Sequence, residues 1–160
     1  MAKIYLSLGS NLGKREDYLK QAIELLKGFC RKLKASSIYE TEPWGETNQP
    51  KFLNLCVEAE TDLPPKDLLD RLKKLEKKLG RKHNAKWGPR EIDIDILFYG
   101  ELVMREKGLS IPHPQLAARA FVLVPLREIA PDLHHPVLNQ AVAKLASKID
   151  PSGVVKYGKI

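Results

Sequence analysis

Residues 92–99 read IDIDILFY, isoleucine alternating with aspartate. Alternation with a period of two belongs to a β-strand, whose successive side chains leave opposite faces. The pattern sets Asp93 and Asp95 together on one face and Ile92, Ile94 and Ile96 on the other. Aspartate is depleted in strands, and like charges on one strand face repel. The acid face therefore either looks onto water or meets something positive.

The segments before it alternate between strand and helix signals. Residues 2–9 (AKIYLSLG) alternate and run into a Gly-Ser-Asn turn, which predicts a strand. Leu19, Ala22, Ile23, Leu26 and Phe29 recur at helical spacing, with Gly28 near the end. Residues 35–41 (ASSIYET) predict a second strand, and 42–50 (EPWGETNQP) a loop. In 52–61 (FLNLCVEAET), Leu53, Leu55, Val57 and Ala59 share one face, while Phe52, Asn54, Cys56, Glu58 and Glu60 share the other. Pro64 and Pro65 open a second helix with a leucine stripe (68, 69, 72, 75, 79), and Gly80 stops it. Residues 81–90 form a loop before the acidic strand. The order β-α-β-β-α-β predicts an α+β, ferredoxin-like core: an antiparallel sheet with helices on one face. Beyond it come a short strand pair around 101–111, a helix over 115–129 interrupted at Pro125, a final helix carrying Val142, Leu145 and Ile149, and a polar tail.

With 160 residues and no dividing linker, a single domain spanning 1–160 is expected. No apolar run approaches the roughly 20 residues needed to span a bilayer. The N-terminus MAKIYLSLGSNLGK lacks the apolar core and cleavage site of a signal peptide. Cys30 and Cys56 have neither metal nor redox spacing, which suits reduced core residues of a cytoplasmic protein.

The net charge of +7 has one source. From Arg71 to Arg90 there are nine basic residues against a single acid, Glu76, so the rest of the chain is close to neutral. This is either a solvated helix face or a place for an anionic partner. Asp93 and Asp95, with Cα atoms about 6.6 Å apart on a strand, can converge on a small metal site. Hard oxygen ligands, few in number, suit Mg²⁺, which takes its remaining ligands from water and phosphate. Arg81 and Arg90 bracket the preceding loop, with His83, Lys86 and Trp87 between them, and arginine grips phosphate oxygens in pairs. Carboxylates for a metal beside arginines for phosphate make up the equipment of phosphoryl transfer. Glu76 falls on the buried leucine stripe and needs a partner: an arginine, a nucleotide hydroxyl, or an ordinary ion pair. Phe52 and Asn54 could line a pocket for a flat heterocycle or lie under a second layer; Phe121 is either another aromatic wall or core. His113, in the IPHP turn, is either structural or functional. GSNLGKR at 9–15 is no P-loop, because only three residues separate its glycines and Arg15 replaces the hydroxyl.

Six blocks, GSNLG (9–13), TEPWG (41–45), FLN (52–54), WGPREIDIDIL (87–97), IPHP (111–114) and RAFVL (119–123), together closely resemble the 6-hydroxymethyl-7,8-dihydropterin pyrophosphokinases of folate biosynthesis. The resemblance implies that ATP donates pyrophosphate to the hydroxymethyl group of the pterin and leaves as AMP. It implies that Asp93 and Asp95 hold two Mg²⁺, and that Arg81, Arg90 and Asp95 form the catalytic set. It implies a pterin pocket of Thr41, Pro43, Trp44, Phe52, Asn54 and Phe121. ATP would be served by Glu76, His83, Trp87, Ile96, Ser110, His113 and Arg119. Gly108 stands where other members can carry a basic residue, and Pro114 where an aromatic can follow the histidine. A cytoplasmic monomer with no nucleic-acid or membrane partner is expected. The alternatives are a nucleic-acid-binding module, which would need bare aromatics on the central strands, and a metal-dependent nuclease or phosphatase.

Overall fold

A computed structural model describes residues 1–42, 48–81 and 90–160. Pro43, Trp44, His83 and Trp87 lie outside the described residues. In chain order come β1 (Ala2–Ser10), α1 (Arg15–Leu26), β2 (Arg31–Ala35), β3 (Ile38–Thr41), β4 (Phe52–Thr61), α2 (Pro65–Lys78) and β5 (Asp93–Tyr99). A hairpin of β6 (Met104–Glu106) and β7 (Leu109–Ile111) follows, turning at Gly108, whose φ of +87° favours glycine. Then come a 3₁₀ turn (Leu116–Ala118), α3 (Ala120–Ile129), the short pair β8 (His134–His135) and β9 (Gln140–Ala141), α4 (Val142–Ser147) and β10 (Val154–Gly158).

The sheet is antiparallel in the order β10-β3-β4-β1-β5, with β2 also paired to β4. The strands of the expected β-α-β-β-α-β core thus adopt the ferredoxin-like order. The predicted strand over 35–41 is two short strands. Ser36 still serves the ladder through its amide and hydroxyl at Cys56, but Ser37 turns both its amide and hydroxyl to Glu128 of α3, 3.0 and 3.1 Å away. Tyr39 donates to the other oxygen of Glu128 at 2.5 Å. The break in the strand is the joint that fastens α3 to the sheet.

Helices cover both faces of the sheet: α1 and α2 lie on one, as the core pattern predicts, and the added α3 and α4 lie on the other. Leu53, Leu55, Val57 and Ala59 pack with Ile94 and Ile96 against α1 and α2, as the alternation requires. The opposite face of β4 is divided. Cys56 is buried under α3 together with Tyr5, Phe98, Val122 and Leu126, and α4 adds Val142 and Leu145. Glu58 lies beyond, salt-bridged to Lys3. Burying each large apolar side chain contributes roughly 1.5–3 kcal/mol, so this second core is a substantial layer. It also covers the central strands where a nucleic-acid-binding sheet would expose its aromatics.

A β-bulge in β5 serves this second layer. Leu6 pairs with Ile96 and Tyr5 with Phe98, leaving Leu97 unpaired. The alternation slips by one residue, so Leu97 and Phe98 both join the α3 core and Tyr99 returns to the other. The Leu97 carbonyl accepts the His113 amide at 3.0 Å, which moors the IPHP turn beside the acidic strand.

Three further expectations are corrected. The helix over 115–129 breaks at Arg119, whose backbone is extended (φ −115°, ψ 103°), and Pro125 sits buried within α3. Pro125 removes one intrahelical donor, and packing compensates for that loss. The last helix stops at Ser147, short of Ile149. The tail called polar forms β10 against β3, an edge strand whose outward Val155 and Tyr157 hide its period. Both cysteines are buried and free, and no helix among the described residues is long and apolar enough to cross a membrane.

Candidate active site

Sheet register builds the floor of the site. Asp93 pairs with Gly9 and Gly9 with Asn54, so the three lie in one row across β5, β1 and β4. Gly9 is needed there: a Cβ at that position would meet Asn54 Oδ1 at 2.6 Å. Asn54 is 4% exposed, and its amide donates to Thr41 Oγ1 at 2.7 Å, which fixes its orientation. Phe52 flanks it from the same face of β4. Arg119 and Phe121 reach over from the start of α3, within a cleft of about 550 Å³ that also borders Ser7, Glu42 and Asp95.

On the other side of the acidic strand the chemistry is ionic. Asp93 receives Arg81 on one oxygen and Arg90 on the other, each at 3.0 Å. Arg81 also reaches Glu76 at 2.9 Å, and Glu76 accepts the Ile94 amide at 2.7 Å. The partner that the buried-stripe position of Glu76 demanded is therefore both an arginine and the backbone of the acidic strand. Burial pushes the Glu76 carboxyl up to about 7, against the pull of Arg81.

Asp95 is held differently. Its nearest positive charge, on Arg119, and the ring of His113 are both 3.9 Å away, and its carboxylate accepts no hydrogen bond among the described residues. Its side chain is about a third exposed, but toward the clefts. Burial first and the neighbouring Asp93 second raise its carboxyl well above the usual carboxylate range, with Arg119 opposing. His113 is pushed the other way, down to about 4, by burial and by Arg119. Its Nδ1 accepts the Gln115 amide at 3.1 Å, so the neutral ring carries its proton on Nε2, toward Asp95.

A second cleft of about 830 Å³ runs along this ionic wall. Arg90, Asp93, Asp95 and Arg119 border both clefts, so the acidic strand is their common wall. Glu76, Arg81 and His113 line the second cleft alone, with Leu69 and Lys73 of α2 and with Gln115. Ser110 lies in an adjoining hollow with Arg105 and His135. The Ile96 side chain is in the α1/α2 core.

A metal fits this donor set. Asp95 offers a carboxylate that lacks a close donor and is destabilised by Asp93, and a cation would relieve both. No cluster of three or more His, Cys, Asp or Glu groups occurs among the described residues. Two carboxylates without such a cage suit Mg²⁺ that keeps its waters or takes phosphate oxygens.

Asn11 was not singled out from the sequence. It is buried in the Gly-Ser-Asn turn, accepts the Arg90 amide at 2.8 Å and donates to Gln49 and Pro50 at 2.8 and 3.0 Å. It ties together the flanks of two loops that are distant in sequence. Gly9, Lys73 and Gln115 were missed as well. The placement of Lys73 three residues before Glu76 was the available signal for it.

Comparison with known proteins identifies the family. The model of the 7,8-dihydro-6-hydroxymethylpterin-pyrophosphokinase family matches residues 5–131. A 2-amino-4-hydroxy-6-hydroxymethyldihydropteridine pyrophosphokinase from Aquifex aeolicus is 51% identical over 137 residues, covering 86% of each chain. One from Methylorubrum extorquens is 43% identical over 156 residues, 96% of this chain and 98% of its own. The fold matches that of Plasmodium falciparum HPPK-DHPS with a TM-score of 0.75 at 19% identity, over 92% of this chain and 43% of that longer one. The chain belongs to the 7,8-dihydro-6-hydroxymethylpterin-pyrophosphokinase family.

Proposed function

We propose that the two clefts on either side of Asp93 and Asp95 divide the family's reaction between them. That reaction is the transfer of pyrophosphate from ATP to the hydroxymethyl group of 6-hydroxymethyl-7,8-dihydropterin, in folate biosynthesis. The observation that carries the proposal is the shared acidic wall, because a group passed from one cleft to the other must cross it.

The pterin takes the cleft floored by Gly9, Asn54 and Thr41. Phe52 and Phe121 hold the ring faces, Asn54 and Thr41 read its edge, and Pro43 and Trp44 complete the pocket. ATP takes the ionic cleft, contacted by Glu76, His83, Trp87, Ser110, His113, Arg119 and the main chain of Ile96. The hydroxymethyl oxygen attacks the β-phosphorus. The α,β-bridging oxygen leaves with AMP and keeps the electron pair, and the hydroxyl proton is released toward Asp95. Arg81 and Arg90 exchange Asp93 for the oxygens of the group in transit. Asp93 and Asp95 would hold two Mg²⁺, whose charge would neutralise the triphosphate and acidify the attacking hydroxyl. The rest of the work is alignment. The enzyme acts as a single-domain cytoplasmic monomer without nucleic-acid or membrane partners.

Purified protein given Mg²⁺, ATP and the hydroxymethyl pterin should release AMP, and chelation by EDTA should stop it. Release of ADP, or no turnover, would overturn the proposal.

A further inference from the structure

Among the described residues, one cation on the ionic cleft is not engaged by any neighbour. Arg81 is held by Glu76 and Asp93, Arg90 by Asp93, and Arg119 by Gln115, with Asp95 nearby. Lys73 borders the same cleft, yet it has no ion pair or hydrogen bond among the described residues. It follows Leu69 by four residues and precedes Glu76 by three, so the three share one stripe of α2 along the cleft. Glu76 is buried and Lys73 exposed. Gly108, at the hairpin tip on the same cleft, adds no side chain.

We propose that Lys73 binds the phosphate chain of the nucleotide and sets much of this protein's affinity for it. The inference rests on the assignment of ATP to this cleft. An incoming polyphosphate meets arginines that carboxylates already neutralise. Lys73 can turn toward it without breaking any existing pair. An ammonium on a flexible four-carbon stem also needs no fixed angle of approach, unlike a guanidinium fork. Being exposed, it gives up little to desolvation in the free protein, and it gains charge-assisted bonds when the phosphates arrive.

The test is calorimetric titration of the full chain with an α,β-methylene ATP analogue and Mg²⁺. Lys73→Met should weaken binding about tenfold, the equivalent of one charge-assisted contact. Lys73→Arg should recover most of the affinity. Pterin affinity should be unchanged, and in turnover the KM for ATP should rise with kcat nearly constant. Lys74→Met is the control, because Lys74 lines a separate groove with Leu25, Phe29 and Arg71. It removes the same net charge and should leave nucleotide binding as it was. Equal affinity of Lys73→Met and the unaltered protein overturns the inference while leaving the ATP assignment intact. So does an equal loss in Lys74→Met, which would mark a general field effect. Failure of the unaltered protein to bind the analogue overturns the ATP assignment, and this inference with it.

Discussion

The two clefts that meet at β5 are stabilised in opposite ways. On the neutral side Asn54, Thr41 and Gly9 satisfy one another through a hydrogen bond and a close approach, and no ion pair is involved. On the ionic side Glu76, Arg81, Asp93 and Arg90 form a linear chain of salt bridges. A floor of neutral groups that satisfy one another can hold its binding shape before a ligand arrives. An ionic wall made of groups that neutralise each other must exchange partners when a polyanion enters. Asp95, between the two, belongs to neither arrangement.

That contrast can be broken most forcefully at Asp95. Asp95→Ala should lower AMP formation by about 10³-fold or more, since it removes a carboxylate from the wall that both clefts share. Pterin binding without nucleotide should survive, as followed by ligand fluorescence. If pterin binding collapsed as well, the strand would not be a wall between independent clefts. A smaller effect is expected on the neutral side. Asn54→Ala should weaken pterin binding roughly 10- to 100-fold, because a site built to hydrogen-bond an edge loses that edge. Nucleotide-analogue affinity should stay within about twofold. If both variants lost the same ligand, the division would fail.

The smallest effect concerns stability. Glu76 has an ordinary value of 4.5 and is raised to about 7 by burial in the folded protein. Between those values the folded chain holds a proton that the unfolded chain has released, so stability falls as pH rises through the window. Between pH 4.5 and 7.5, the unaltered protein should lose about 1–3 kcal/mol more than Glu76→Gln, which stays neutral throughout. Urea unfolding at the two pH values measures the difference. A flat difference would mean that Arg81 keeps the carboxylate charged at all pH.

Much of the fold was legible because its signals are local. The leucine stripe of α2 and the alternating row of β4 lie where their periods put them. The carboxylates, arginines and pocket residues that fall among the described residues line the two clefts, apart from Ser110 in the adjoining hollow and Ile96, whose side chain enters the core. What escaped notice had weak local patterns. β10 is short and half-exposed, so its alternation carries little hydrophobic contrast. The bulge at Leu97 leaves no mark in a run of consecutive apolar residues. Pro125 misled because a proline inside a helix is tolerated where packing makes up for the lost donor.

The amino-acid sequence by itself determined that Asp93 and Asp95 share a face and that basic residues crowd the chain just before them. It also determined the alternation of strands and helices that leads to this sheet order. Only the tertiary structure decided that Asp93 is claimed by two arginines while Asp95 is left without a close donor, and that Lys73, not Lys74, looks into the cleft. The side-chain period is fixed by bonds between neighbours, but a charge finds its partner across folded distances. Those distances are set by how α2, the hairpin turn and α3 close around β5.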